Sequence, residues 1–216
     1  MARRYITARG RVSNRGDLPR YVGILPCHKA TGGFLVFSSL AEMYVGIYLT
    51  WAKRVRQIAF EAAPLEFTAT AELPSLVAWP DFEVVLDNDE IEWVEAKYSK
   101  EGLRPKEAAK LEWLASHCQR EQRRFQVVYR MKLHENGFID TVALLHRYGH
   151  LDFPAEILTR ATEQLAQYSA TYLETWRAHA RAERIPIDVL YHLLYQERLP
   201  LLYRPLLPTE LIPCRA

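Results

Sequence analysis

Cysteine is scarce in this chain. Cys27, Cys118 and Cys214 are odd in number and far apart, which argues against a disulfide framework and for a reducing compartment. No apolar run approaches the roughly eighteen residues of a membrane span, and the N-terminus carries charge without an apolar signal-peptide core. A cytoplasmic protein is the resulting expectation. Also missing are a Walker A phosphate loop, a G-x-G-x-x-G fingerprint and a G-x-S-x-G elbow, so nucleotide hydrolysis is not expected. There is no internal repeat and no low-complexity tract. Cys27-His28 and His117-Cys118 are adjacent pairs rather than spaced ones, a poor match to a zinc site. His134, His146, His150, His179 and His192 show no ligand spacing and read as surface or core residues.

A large net charge is absent too: the formal balance over 216 residues is +2, with 49% hydrophobic and 12% aromatic content. That composition excludes full disorder and supports one substantial core with room for a small second domain. The distribution of charge says more than its sum. Arg3, Arg4, Arg9, Arg11, Arg15 and Arg20 face the single acid Asp17 in the first twenty residues. Arginine suits bidentate phosphate contacts, and basic arms commonly follow nucleic acid. DNA contact is one expectation for this arm and a solvated tail the other. A second basic cluster, Arg120, Arg123, Arg124, Arg130 and Lys132, reads as a solvated face.

What is present in quantity is a charged β-hairpin. Trp79-Pro80-Asp81-Phe82-Glu83-Val84-Val85-Leu86 and Ile91-Glu92-Trp93-Val94-Glu95-Ala96-Lys97 are rich in β-branched and aromatic residues and are separated by Asp87-Asn88-Asp89-Glu90, a turn cluster. Period-two alternation puts Glu95 and Lys97 on one face and turns Ala96 away. A three-residue loop, Asp87 to Asp89, sets Asp81 opposite Glu95; a two- or four-residue loop puts them on opposite faces. Facing carboxylates repel unless a cation lies between them, and a hard divalent cation is the natural candidate. A solvated surface hairpin is the competing reading.

The flanking pattern predicts helix, three strands, helix, strand. Ser39-Leu40-Ala41-Glu42 opens a helix to about Val55 with an apolar stripe of Leu40, Tyr44, Ile47, Tyr48, Trp51 and Val55, leaving Glu42 off the stripe. Glu42 also fits the third position of a capping box on Ser39. Arg56 to Thr70 reads as one extended strand, Pro105 opens a helix to about Arg120, and Phe125 to Met131 reads as a strand. Beyond a boundary near Gly149, the Ile157, Ala161, Leu165, Tyr168, Tyr172 and Trp176 spacing predicts one long amphipathic helix, with its aromatics in a core. Pro186 opens another helix, Ile187 to Glu197, and Pro200, Pro205, Pro208 and Pro213 make the tail extended or wing-like.

Asp81, Glu95 fourteen positions on and Lys97 after one more residue resemble the P-D-(D/E)-x-K nuclease motif. With Ser38-Ser39-Leu40-Ala41-Glu42, Trp79-Pro80-Asp81-Phe82 and Val94-Glu95-Ala96-Lys97, and more weakly Leu144-Leu145-His146-Arg147-Tyr148, the chain resembles the TnsA-type endonuclease subunit of heteromeric cut-and-paste transposons over residues 20 to 150. Members of that family can carry Gln where this chain has Glu95. The resemblance implies an α/β fold: a restriction-endonuclease-like core on a mixed sheet at 21–150, after a basic arm at 1–20. A small helical partner-interaction domain, which a winged helix would also satisfy, follows at 151–216.

It implies a Mg²⁺-dependent endonuclease, with Mn²⁺ able to substitute, that cuts the 5′ strands at element ends in a bacterial, DNA-associated setting. Asp81, Glu95 and the Ala96 carbonyl would hold the metal. Glu42 would complete that site or meet a second ion, and Lys97 would stabilise the transition state. Double-stranded DNA, a DDE-type transposase and an AAA+ ATPase regulator are the implied partners. The alternatives are another nuclease of the same fold, acting in restriction, repair or junction resolution, and a non-catalytic DNA-binding or assembly module.

Overall fold

The computed structural model describes residues 5–6, 12–13, 23–60, 64–69, 71 and 74–202. It is an α/β protein with a mixed sheet and several helices, and it divides into two compact units after Leu133. The first begins with two antiparallel pairs: β1 (Tyr5–Ile6) with β2 (Val12–Ser13), and β3 (Gly23–Pro26) with β4 (Phe34–Phe37). Helix α1 follows (Leu40–Trp51), then β5 (Val55–Phe60), the short antiparallel pair β6 (Leu65–Phe67) and β7 (Leu76–Ala78), and β8 (Phe82–Leu86) and β9 (Ile91–Lys97). Helix α2 (Pro105–Arg120) and β10 (Arg124–Tyr129) complete the unit. The central sheet runs β10-β9-β8-β5, with β10 parallel to β9 and the other pairs antiparallel.

Each sheet face has its own cover. Phe82, Val84, Leu86, Val94, Ala96 and Val128 are buried on one face, and α1 brings Gly46 against it. A methyl group at Gly46 would lie 3.3 Å from Leu35 and 3.7 Å from Phe82, so the missing side chain lets α1 fit between the sheet and the β3–β4 pair. This explains why α1 is buried beyond its expected stripe, with Val45, Gly46, Leu49 and Thr50 inside as well as Ile47 and Tyr48. On the other face Trp93 packs with Leu65, Phe67 and Ala78 of β6–β7, and with Leu114 and Cys118 of α2.

Three expectations change here. Helix α1 stops at Trp51, and Val55 begins a strand. The single strand from Arg56 to Thr70 is instead β5 and a separate β6, because β6 pairs with β7 to cover Trp93 rather than lengthening the central sheet. Strand β10 ends at Tyr129, and Arg130–His134 forms a short helix, α3.

The second unit is helical. After a 3₁₀ turn at Glu135–Gly137 come α4 (Phe138–Gly149), α5 (Ala155–Leu165), α6 (Leu173–Ala182) and α7 (Ile187–Tyr195). Helix α7 is buried continuously from Val189 to Tyr195, as expected of the central helix in a bundle. Helices α4, α5 and α6 pack around it. The expected long helix is thus two helices broken at 166–172. A continuous helix from Ala155 to Ala182 would span about 40 Å, whereas nine-residue α7 offers only about 13 Å to pack against. The break lets both halves reach it. Tyr168 closes the turn, donating to Glu183 at 2.7 Å and stacking on His179. Leu165 and Trp176 are core, as expected for the aliphatic and aromatic stripe, whereas Tyr172 is exposed.

The unit boundary also falls earlier than the one near Gly149. The buried face of α4, Phe138, Ile139, Val142 and Leu145, belongs with α7, and Gln196 and His192 reach the carbonyls of Gly149 and Tyr148 at its end. Pro205, Pro208 and Pro213 lie outside the described residues. No helix among the described residues is long and apolar enough to cross a membrane.

Candidate active site

The β8–β9 hairpin adopts the three-residue loop. Phe82 pairs with Val94, Glu83 with Trp93, Val84 with Glu92 and Val85 with Ile91, while Leu86 N–H donates to the Glu90 carbonyl and Asp89 N–H to Leu86. Asp89 takes φ +64°, the left-handed residue that such loops require and that Asp tolerates. Continued one residue past Phe82–Val94, this register sets Asp81 level with Glu95. Asp81 is 5% exposed, and its Oδ2 accepts the Ala96 N–H at 2.8 Å. The aspartate is held by the backbone of the strand that carries its partner.

Lys97 Nζ lies 2.6 Å from Glu95 Oε1 and also donates to the Ala96 carbonyl at 3.2 Å. Burial, and then the charge of Asp81, hold the Glu95 carboxyl above the usual glutamate range against the pull of Lys97 and Lys110. For Lys97, burial alone would favour the neutral amine, but Glu95, Asp81 and Glu42 together raise its pKa. Asp81, Glu95 and Lys97 therefore form one electrostatic unit, with Glu42 close enough to act on the lysine.

Glu42 itself is engaged elsewhere. Ser39 caps α1 by accepting the Glu42 N–H at 3.1 Å, and the Glu42 carboxylate accepts from Ser38 N–H at 2.7 Å and from the Ser38 and Ser39 hydroxyls. The side chain closes back on Ser38, one residue before the cap. Although off the apolar stripe, Glu42 is only 9% exposed, because its hydrogen bonds are made within the turn.

Among the described residues, no group of three or more His, Cys, Asp and Glu side chains is placed to hold a metal ion. Asp81, Glu95 and the Ala96 carbonyl are a smaller oxygen set. They suit a hard ion such as Mg²⁺ that keeps several waters and takes one or two carboxylates plus substrate phosphate, rather than an all-protein cage.

The structure adds neighbours that the motif did not reveal. Tyr129 lies level with Lys97 across the parallel β9–β10 pair, and burial raises its phenol pKa. Lys110 acts on Glu95 from α2. The Arg130 guanidinium lies 4.8 Å from the Tyr44 ring centroid and 5.7 Å from that of Tyr98. Only Tyr129 had a signal in the sequence, once β10 was paired in parallel with β9. The basic cluster is largely tied down: Arg123 pairs with Glu121 at 2.8 Å and covers Trp93, and Arg124 pairs with Glu90. Arg3, Arg4, Arg9, Arg11, Arg15 and Arg20 lie outside the described residues.

His146 is buried and His150 is exposed, a core and a surface residue as expected. His146 in the last turn of α4 and His150 at its C-cap are four residues apart, and their Nε2 atoms lie 3.4 Å from each other. Cys27 and His117 are occupied locally, by the Thr50 hydroxyl and the Trp113 carbonyl. No protein-family model matches the chain, and no curated protein sequence matches it.

Proposed function

We propose that the chain is a Mg²⁺-dependent DNA endonuclease with a restriction-endonuclease-like core. The observation that carries this reading is the hairpin register: Asp81 is level with Glu95, and Lys97 follows on the same face within 2.6 Å of Glu95. The helix, sheet, helix, strand order on a mixed sheet supports it further. Asp81, Glu95 and the Ala96 carbonyl are the residues that would hold the ion. Bound Mg²⁺ supplies Lewis acidity at the phosphodiester and an acidified water. Lys97 then offers its ammonium to the charge that builds on the phosphate in the transition state, and Asp81, fixed by the Ala96 N–H, keeps one carboxylate oxygen in place without reorganisation.

Within that class, we infer a TnsA-type role: cutting the 5′ strands at the ends of a mobile element beside a DDE-type transposase and an AAA+ ATPase. The support is the Ser38–Glu42, Trp79–Phe82 and Val94–Lys97 segments. The helical unit from His134 is the part proposed for partner recruitment. Cytoplasmic, DNA-associated action goes with this role.

The test is cleavage of element-end DNA with Mg²⁺, with and without candidate partners. Asn at position 81 keeps an oxygen acceptor for the Ala96 N–H, so Asp81→Asn should fold and bind DNA while cleavage falls by at least about 10²-fold, the scale of losing one electrostatic contact to the transition state. Equal cleavage by parent and variant would remove the site. Cleavage of arbitrary DNA by the chain alone would favour a stand-alone nuclease, and binding without cleavage under every condition a non-catalytic module.

A further inference from the structure

His146 lies in the last turn of α4 and His150 is the residue that caps it, and their Nε2 atoms converge to 3.4 Å. In the protein by itself one imidazole donates to the other in a long N–H···N hydrogen bond. The same separation matches a chelate: two imidazole nitrogens, each about 2.0–2.1 Å from one tetrahedral ion, lie about 3.3–3.4 Å apart. Histidines at i and i+4 are the spacing that helical zinc sites use, and here the second member follows directly on the helix as its C-cap.

The surroundings hold the pair in that geometry. The Tyr195 ring of α7 lies 5.6 Å, centroid to centroid, from each imidazole, at 87° to His146 and 56° to His150. Gly149 permits this, since a Cβ there would sit 2.0 Å from the Tyr195 ring. His146 is 3% exposed and His150 is at the surface. An ion can therefore reach the pair from one side, while the inner ligand is fixed by packing.

We propose that His146 and His150 form a two-imidazole site for a borderline divalent transition metal of the Zn²⁺, Co²⁺, Ni²⁺ and Cu²⁺ class, its remaining positions filled by water. Imidazole ligation selects against the hard Mg²⁺ that suits Asp81 and Glu95, so the two sites differ in the ions they take. The metal would tie the last turn of α4, whose neighbouring carbonyls already receive His192 and Gln196.

The experiment is calorimetric titration of the full, untagged chain with Zn²⁺ alone, which reads the site independently of any cleavage assay. One Zn²⁺ per chain is expected, with affinity at least tenfold weaker in His150→Ala and unchanged in the control His134→Ala. No binding, or binding that His150→Ala leaves intact, overturns the proposal. Circular dichroism establishes that His150→Ala is folded. Electron paramagnetic resonance of the Cu²⁺-loaded parent chain gives a readout that needs no variant: coupling to two imidazole nitrogens is expected, and coupling to one or none overturns the site.

Discussion

At the scale of single residues, the chain buries acids and manages each differently. Asp81 is satisfied by a backbone donor, Glu95 by Lys97, and Glu42 by two serines and a backbone N–H. Glu92 is 4% exposed, and burial raises its pKa more than Arg124 and Arg54 lower it. The sign of the consequence follows from linkage. A carboxyl whose folded pKa is raised contributes stability at pH below its ordinary value and loses that contribution as pH rises through the folded pKa. At neutral pH the burial of Glu92 is therefore a cost. Glu92→Gln should stabilise the chain at pH 7 by about 1 kcal/mol or less, with the gain shrinking towards pH 4 as the parent residue protonates. Thermal melts of both proteins at the two pH values measure it. A variant that is less stable at pH 7 would mean that Arg124 and Arg54 outweigh burial. Much of this scale was legible, since Asp81, Glu95 and Lys97 stand out in the sequence. Their neighbour Lys110 was not: it acts on Glu95 through packing between elements that no local pattern encodes.

Among elements, the hairpin was legible because its turn and its alternation agree. A single left-handed residue, Asp89, fixes the loop at three residues and hence the face on which Asp81 lies. Asp89→Gly should be tolerated, whereas Asp89→Val should cost about 1–2 kcal/mol, the penalty for a β-branched residue in that conformation; urea midpoints separate the two. The α5–α6 segment was misread for a matching reason. Its apolar spacing is helical on both sides of 166–172, and only the short length of α7 decides that the chain must turn there. The β6–β7 pair escaped notice because three-residue strands carry almost no periodic signal. Gly149→Ala tests the packing of α4 on α7. A Cβ would lie 2.0 Å from the Tyr195 ring, so the substitution should destabilise by about 1–3 kcal/mol despite alanine's better helix propensity, seen as a fall of several degrees in Tm.

For the whole molecule, the division after Leu133 sets where the chain can be cut. A fragment ending near His150 would retain α4 without α7, leaving Phe138, Ile139, Val142 and Leu145 uncovered. That favours aggregation. A fragment ending at Leu133 keeps Glu42, Asp81, Glu95 and Lys97 and should be the more soluble of the two. Light scattering of both fragments at equal concentration decides the matter. The basic arm belongs to this scale as well. Removing residues 1–15 deletes five arginines, Arg3, Arg4, Arg9, Arg11 and Arg15. It should weaken DNA binding and flatten the dependence of affinity on salt, since fewer counterions are released. An unchanged slope would show that these arginines do not touch phosphate.

In the protein by itself, the ammonium of Lys97 sits where opposite charge is most wanted, between the Glu95 carboxylate and the Ala96 carbonyl. The chain thus supplies its own counter-ion. On the proposed nuclease function, a phosphodiester arriving at Tyr129 and Lys97 would compete for that ammonium and leave Glu95 more open to a cation brought with the DNA. The proposed substrate and ion would then be coupled through one side chain, with the acid fully unmasked only where a nucleic-acid backbone already lies.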